Sequence, residues 1–231
     1  DEATTKSAVE AAGTVANRLE ALAGARETST NYVEAAKAFG VKFAERAFRQ
    51  PLTPELRASI VERQFEEESN VEKAVKRVVM LVLKSPRFLY PELGDGSPDY
   101  KVAKRLALNL WDSIPDKELL AAAERGELRS PEQVRAQASR MVPDPRTRAK
   151  LREFFHHWLH MEEAGDLSKD TKAFPGFDEA LVADLRMSIE TFVDHVVWSE
   201  GSDYRELLLA DYLFLNQRLA EFYGLKPVVA A

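Results

Sequence analysis

Apolar residues in this chain recur at intervals of three and four, and no stretch holds the alternation of a strand. Val71, Ala74, Val75, Val78 and Val82 share one stripe, and Leu181, Val182, Leu185, Ile189, Phe192, Val193 and Val196 share another. A helix turns about 100° per residue, so this spacing gathers the apolar side chains on one face. A strand would need a period of two and tight turns between its runs. The pattern predicts an all-α chain, a multi-helix bundle arranged as one body or as two packed helical subdomains.

Helix starts reinforce the reading. Thr53-Pro54, Ser130-Pro131 and Asp144-Pro145 each set a capping oxygen before a proline at the first helical position. Proline loses nothing there, because that N–H has no partner within the helix. Gln133, three residues after Ser130, completes the pattern of a capping box. Asn70, Asp99, Asp178 and Asn216 are further candidate caps, and Ser113 or Asp116 would cap the helix after "LWDSIPD". The expected helices run over 4–23, 31–48, 54–66, 71–84, 99–112, 116–124, 131–141, 145–163 and 179–199, with short ones over 203–209 and 216–223.

Punctuation divides the chain. Pro and Gly cluster in "PELGDGSPD", Pro91–Asp99, which predicts an N-terminal helical unit over 1–92 and a C-terminal bundle over 98–224. The first helix is alanine-rich, with only Leu19 and Leu22 as large apolar residues, and is expected to pack weakly or against a partner. "SPRFLY" is expected to end a buried helix and to supply Phe88, Leu89 and Tyr90 as packing between the two units.

Composition excludes several functions. The 231 residues are 45% hydrophobic and 30% charged, which is enough apolar material for a core. A net charge of −6 with scattered Lys and Arg argues against a nucleic-acid partner, which needs clustered positive charge. The absence of cysteine removes disulfides, thiolate zinc sites, iron–sulfur clusters and covalent c-type haem from this chain. The longest apolar run is Val78–Leu83, far short of the roughly 20 residues of a transmembrane helix. The start "DEATTKSAVEAAG" shows no basic segment leading into an apolar one, so no signal peptide is expected in it.

One stretch carries candidate chemistry. "EFFHHWLHMEE", Glu153–Glu163, holds three of the four histidines. On a helical wheel with Leu151 at zero, Phe154, Phe155, Trp158 and Leu159 fall within about 80°, a predicted core face. His156, His160, Glu153 and His157 then fall at about 140°, 180°, 200° and 240°, on the opposite face. His156/His160 and Glu153/His157 are spaced four apart, so a pair can reach one ion from a single helix. Glu153, His156, His157 and His160 are therefore the candidate ligands for a divalent metal or a b-type haem. The pattern departs from known ones, however. A metalloprotease needs Glu directly after the first histidine, where this chain has His157, and a di-iron bundle needs a second Glu-x-x-His helix. His195 lies to the side of its own apolar stripe. The plainer reading is a solvated polar face whose imidazoles change charge in mildly acidic solution. Glu190/Asp194 and Glu162/Glu163 are carboxylate pairs, but acid–base work would require them in a shaped pocket. No glycine-rich phosphate loop and no strand-borne serine elbow is present.

Five stretches in order carry a family resemblance: "FAERAFRQPLTPE" (Phe43–Glu55), "VLKSPRFLY" (Val82–Tyr90), "LALNLWDSIPDKELLAAAERGEL" (Leu106–Leu128), "FPGFDEAL" (Phe174–Leu181) and "LLLADYLFLNQRLAEFYG" (Leu207–Gly224). From about Phe39 to Gly224 the chain resembles the planctomycete-type domains of unknown function in large exported proteins, often beside c-type cytochrome modules. The resemblance implies a periplasmic or exported location, and neighbouring modules or a cytochrome c-containing chain as protein partners. It supplies no catalytic residues. The chain departs from such proteins in lacking a Cys-x-x-Cys-His haem site. The expected function is a non-catalytic scaffold or protein-interaction module, without a cofactor of its own. The alternatives are a metal-binding protein or metal-dependent enzyme working from the histidine face, and a metal-free enzyme using Glu190 and Asp194.

Overall fold

The computed structural model of the chain describes residues 2–91, 96–162, 167–170 and 172–225. It is all-α, and no strand occurs among the described residues. Two compact units emerge, residues 1–142 and 143–231. The division falls between Val142 and Pro143; of the loop over Pro91–Asp99, residues 92–95 lie outside the described residues.

In the first unit, α1 (Glu2–Ala16) and α2 (Leu19–Ala23) replace the single helix expected over 4–23. α1 packs against α6 (Val71–Leu83) through Ala8, Ala12 and Ala16, all buried. Alanines four residues apart let two backbones come close, so the small residues of this helix serve packing inside the unit. α3 (Tyr32–Phe48) also packs on α6. Val75, Val78, Val79 and Val82 of α6 have no solvent exposure. Val75 and Val79 pack with Leu19, Tyr32 and Ala36, while Val78 and Val82 pack with Ala44, Phe48 and Val61. Gly40 makes the α3 approach possible: a Cβ there would stand 3.3 Å from Val61 Cγ1 and 3.5 Å from Val78 Cγ1.

Between Thr53 and Glu68 the helix is not uniform. α4 (Pro54–Arg57) leads into a π-helical turn, Ala58–Glu62, and then α5 (Arg63–Glu67). The Arg63 amide reaches back to the Ala58 carbonyl, five residues away, which is the bond of a π-helix. The "SPRFLY" stretch begins an element rather than ending one. Ser85 caps the short α7 (Pro86–Leu89) by accepting from the Arg87 amide. Phe88 packs beside Val78 and Val82, but Leu89 and Tyr90 are exposed, contrary to their expected packing role. Arg49, in a left-handed conformation at the end of α3, is buried and donates from Nη1 to the carbonyls of Ala47 and Phe88.

α8 (Pro98–Trp111), α9 (Lys117–Glu124) and α10 (Pro131–Met141) close a third cluster around Ala103, Trp111, Leu119 and Met141. The Trp111 indole donates to the Met141 carbonyl at 3.1 Å. Asp116, rather than Ser113, caps α9 and receives Arg140 through two bonds of 2.8 and 3.2 Å. Asp99 is not a cap. It sits inside the first turn of α8, fully buried, and accepts from the Leu128 amide and Arg129 Nε, each at 3.2 Å.

The second unit is built on α12 (Glu179–Trp198), with α11 (Pro145–Trp158), α13 (Glu206–Leu209) and α14 (Gln217–Phe222) against it. Arg152 of α11 pairs with Asp194 at 2.8 Å, Arg218 of α14 pairs with Asp184 at 2.7 Å, and Arg148 lies over the Trp198 ring. The caps read from sequence at Thr53, Asn70, Ser130, Asp144, Asp178 and Asn216 are all formed, Ser130 and Gln133 as a capping box.

Asp99 tests the α8–α10 packing. Asp99→Ala leaves the buried Leu128 amide without its acceptor, and such a loss costs about 1–3 kcal/mol. Burial alone would raise the Asp99 pKa, but the bonds from Arg129 and Leu128 and the guanidinium charge outweigh it and hold the carboxyl below its usual range. Its contribution is therefore present above the ordinary aspartate range and is lost as pH falls through the lowered folded value. Thermal melts should show the variant less stable at neutral pH, with the difference shrinking in acid. An unchanged melting temperature at neutral pH would contradict this role.

Candidate functional site

The helix carrying the histidines is shorter than its sequence suggests. α11 stops at Trp158, Leu159 is its cap, and His160 follows with a φ of 54°. The expected continuation to 163 fails at that residue, and Glu163 lies outside the described residues. A left-handed residue redirects the chain, so His160 leaves the face that the wheel assigned to it. Glu153, His156 and His157 remain on α11, while Met161 and Glu162 turn back beside it.

This return creates a carboxylate–imidazole cluster. His157 Nε2 stands 2.8 Å from Glu153 Oε1, and its Nδ1 stands 3.6 Å from Glu162 Oε1. His156 Nδ1 is 3.8 Å from Glu162 Oε2. The last two distances exceed a good hydrogen bond but permit ionic attraction once an imidazole is protonated. His157 therefore lies between two carboxylates, Glu153 one helical turn before it and Glu162 after the helix end. His156 is half-buried and His157 exposed. Among the described residues, no three His, Asp or Glu side chains converge as a set that could hold a metal ion. His160 borders a separate groove beside Met161 and α12, described below.

The opposite face of α11 departs further from expectation. Phe154 and Trp158, assigned to the core by the wheel, are 54% and 48% exposed. The wheel finds which face is apolar, but not whether another layer covers it. Phe154, Phe155 and Trp158 pack on one another: Phe154 lies edge-on to Phe155 at 5.2 Å and stacks with Trp158 at 6.2 Å. Mutual packing of this kind holds the rings in place without a covering element.

The other named residues are held apart from this cluster. His195 packs with Tyr212 and Phe214, at ring distances of 6.1 and 5.1 Å. Asp194 is paired with Arg152, so the Glu190/Asp194 pair does not present two free carboxylates.

The cluster adds to a lowering of the Glu162 pKa. Its carboxyl is held below the usual glutamate range, first by its own backbone amide and then by the His157 side chain and the nearby charge of His157 and His160. The carboxyl resonance of Glu162, followed by carbon-detected NMR, should titrate below that of an ordinary glutamate. In His157→Ala it should move up toward the ordinary range, though not completely, because the backbone bond persists. Identical titrations in the two proteins would show that His157 and Glu162 do not interact in solution.

Three comparisons with known proteins bear on this chain. No curated protein and no solved structure matches it. One family model matches over residues 98–225, more than half of the chain, and covers α8 to α14 with the histidine stretch among them. Of the five stretches singled out in the sequence, the last three fall inside this match and the first two lie before it. By that match the chain belongs to the family described as PSD4, protein of unknown function (DUF1592).

Proposed function

We propose that this chain is a non-catalytic helical module that docks a protein partner in an exported assembly, beside c-type cytochrome-bearing modules. The observation that carries the docking role is the aromatic face of α11. Phe154 and Trp158 expose about half of their surface in a cluster already ordered by ring contacts. Aromatic side chains held in place lose little freedom on binding and carry much of the energy of protein interfaces. The first unit holds all three clusters of buried apolar residues found among the described residues. The second leaves Phe154, Trp158, Leu208, Leu209 and Leu213 exposed. Exposed apolar surface of this kind marks interaction sites. The exported setting and the cytochrome neighbours rest on the planctomycete-type resemblance of the five stretches. No described helix is long and apolar enough to cross a membrane.

A photo-crosslinking amino acid placed at Trp158 tests the docking role in cells that naturally make the protein. One discrete cross-linked protein is expected, and Phe154→Ser should remove it without changing the melting temperature of the purified chain. Absence of a discrete product, or one indifferent to Phe154→Ser, would count against the reading. Elemental analysis of purified, dialysed protein separates the metal alternative. Stoichiometric zinc, iron or copper that is lost in His156→Ala/His160→Ala would replace docking with metal binding at Glu153, His156, His157 and His160.

A further inference from the structure

The second unit contains a groove of about 490 Å³ that the aromatic face of α11 does not use. Val182, Leu185, Ile189 and Phe192 of α12 form its floor, and Leu213 and Leu215 form one wall. Those four residues lie three or four apart, on one face of the helix, and span about 15 Å at 1.5 Å per residue. Arg186 belongs to the same face, four residues after Val182 and three before Ile189. It is exposed and, among the described residues, has no ion pair or hydrogen bond, so its guanidinium stands at the rim of an apolar floor. His160, brought in by the left-handed turn after α11, also lines the groove. Among the described residues, no carboxylate lines it. Arg186 also lines an adjoining hollow, together with Asp178, Glu179 and Lys169. Asp178 is occupied there in accepting from the Leu181 amide.

An apolar trough with a positive group at its edge, and no acid along it among the described residues, selects for a particular chemistry. The volume falls within the range of small-molecule sites, which are mostly apolar with a few placed polar groups. A long cationic side chain beside apolar surface keeps its charged end in water and can meet an anion there. We propose that this groove binds a free fatty-acid-type amphiphile, with its hydrocarbon chain along Val182–Phe192 and its carboxylate on Arg186. The site stands independently of the docking face on α11, and either can fail without the other.

Calorimetric titration of the full chain tests the proposal with two probes of equal chain length, sodium dodecanoate and dodecyltrimethylammonium, both kept below micelle formation. At about pH 8 an ordinary histidine is neutral, which isolates the arginine. Dodecanoate should bind saturably at one per chain, about tenfold or more tighter than the cationic probe, a difference of about 1.4 kcal/mol. Arg186→Gln should remove the preference with the melting temperature unchanged, and Ile189→Asn should weaken both probes. Should Ile189→Asn fail to fold, the Arg186→Gln comparison decides alone. Lack of saturable dodecanoate binding, equal binding of the two probes, or a preference that survives Arg186→Gln would each overturn the assignment.

Discussion

The first unit depends on one helix being buried on more than one side. α6 offers valines at 75, 78, 79 and 82, and all four lose contact with solvent. β-Branched residues are mediocre helix formers, so this helix owes its stability to what packs on it rather than to its own propensity. Its neighbours are correspondingly small where they meet it: Ala8, Ala12 and Ala16 on α1, Ala36, Gly40 and Ala44 on α3. Branched side chains on one helix and near-bare backbone on the others give close packing without long side chains to order. The alanine-rich first helix, which in sequence looked poorly equipped for a core, is matched to that arrangement.

The second unit follows a different plan. α12 is its spine, but its apolar stripe is only partly covered: Leu181, Val182, Val193 and Val196 are buried, whereas Ile189 remains exposed. Charged ties, Arg152–Asp194 and Arg218–Asp184, hold α11 and α14 to it. The Arg152–Asp194 pair is exposed and contributes little energy, though it fixes orientation, whereas the Asp184 carboxylate is mostly buried. Apolar surface is left on α11, on α13 and along the groove. In a family whose function is unknown, those uncovered surfaces are the parts of the chain whose chemistry remains unspent inside the fold.

Much of this architecture was legible because it is local. A capping oxygen before proline needs only neighbouring residues, and six of the caps read from sequence form as read. Asp99 was misread because its partners, Leu128 and Arg129, are brought to it by a long-range turn that no local pattern announces. The exposure of Phe154 and Trp158 was illegible for a related reason, since periodicity defines an apolar face without saying what lies over it. The end of α11 carried no glycine or proline to signal it, and the left-handed His160 could be seen only in the backbone. The candidate histidine face therefore survives in part: Glu153 and His157 meet as their spacing allows, Glu162 joins them unexpectedly, and His160 departs. Arg186 had a visible signal, a charge placed within an apolar stripe, but such a residue looks like any other surface arginine until a groove is found beneath it.

The π-helical turn at Ala58–Glu62 also bears on how this chain tolerates change. Its wider ring accommodates one residue more than an α-helical turn would, while Val61 within it lies against the bare backbone at Gly40. Removing one residue there would let the segment relax into regular α-helix, and the residues after it, Gln64 and Phe65 among them, would keep their faces. The turn is thus a place where the chain holds a surplus residue without disturbing the helices on either side.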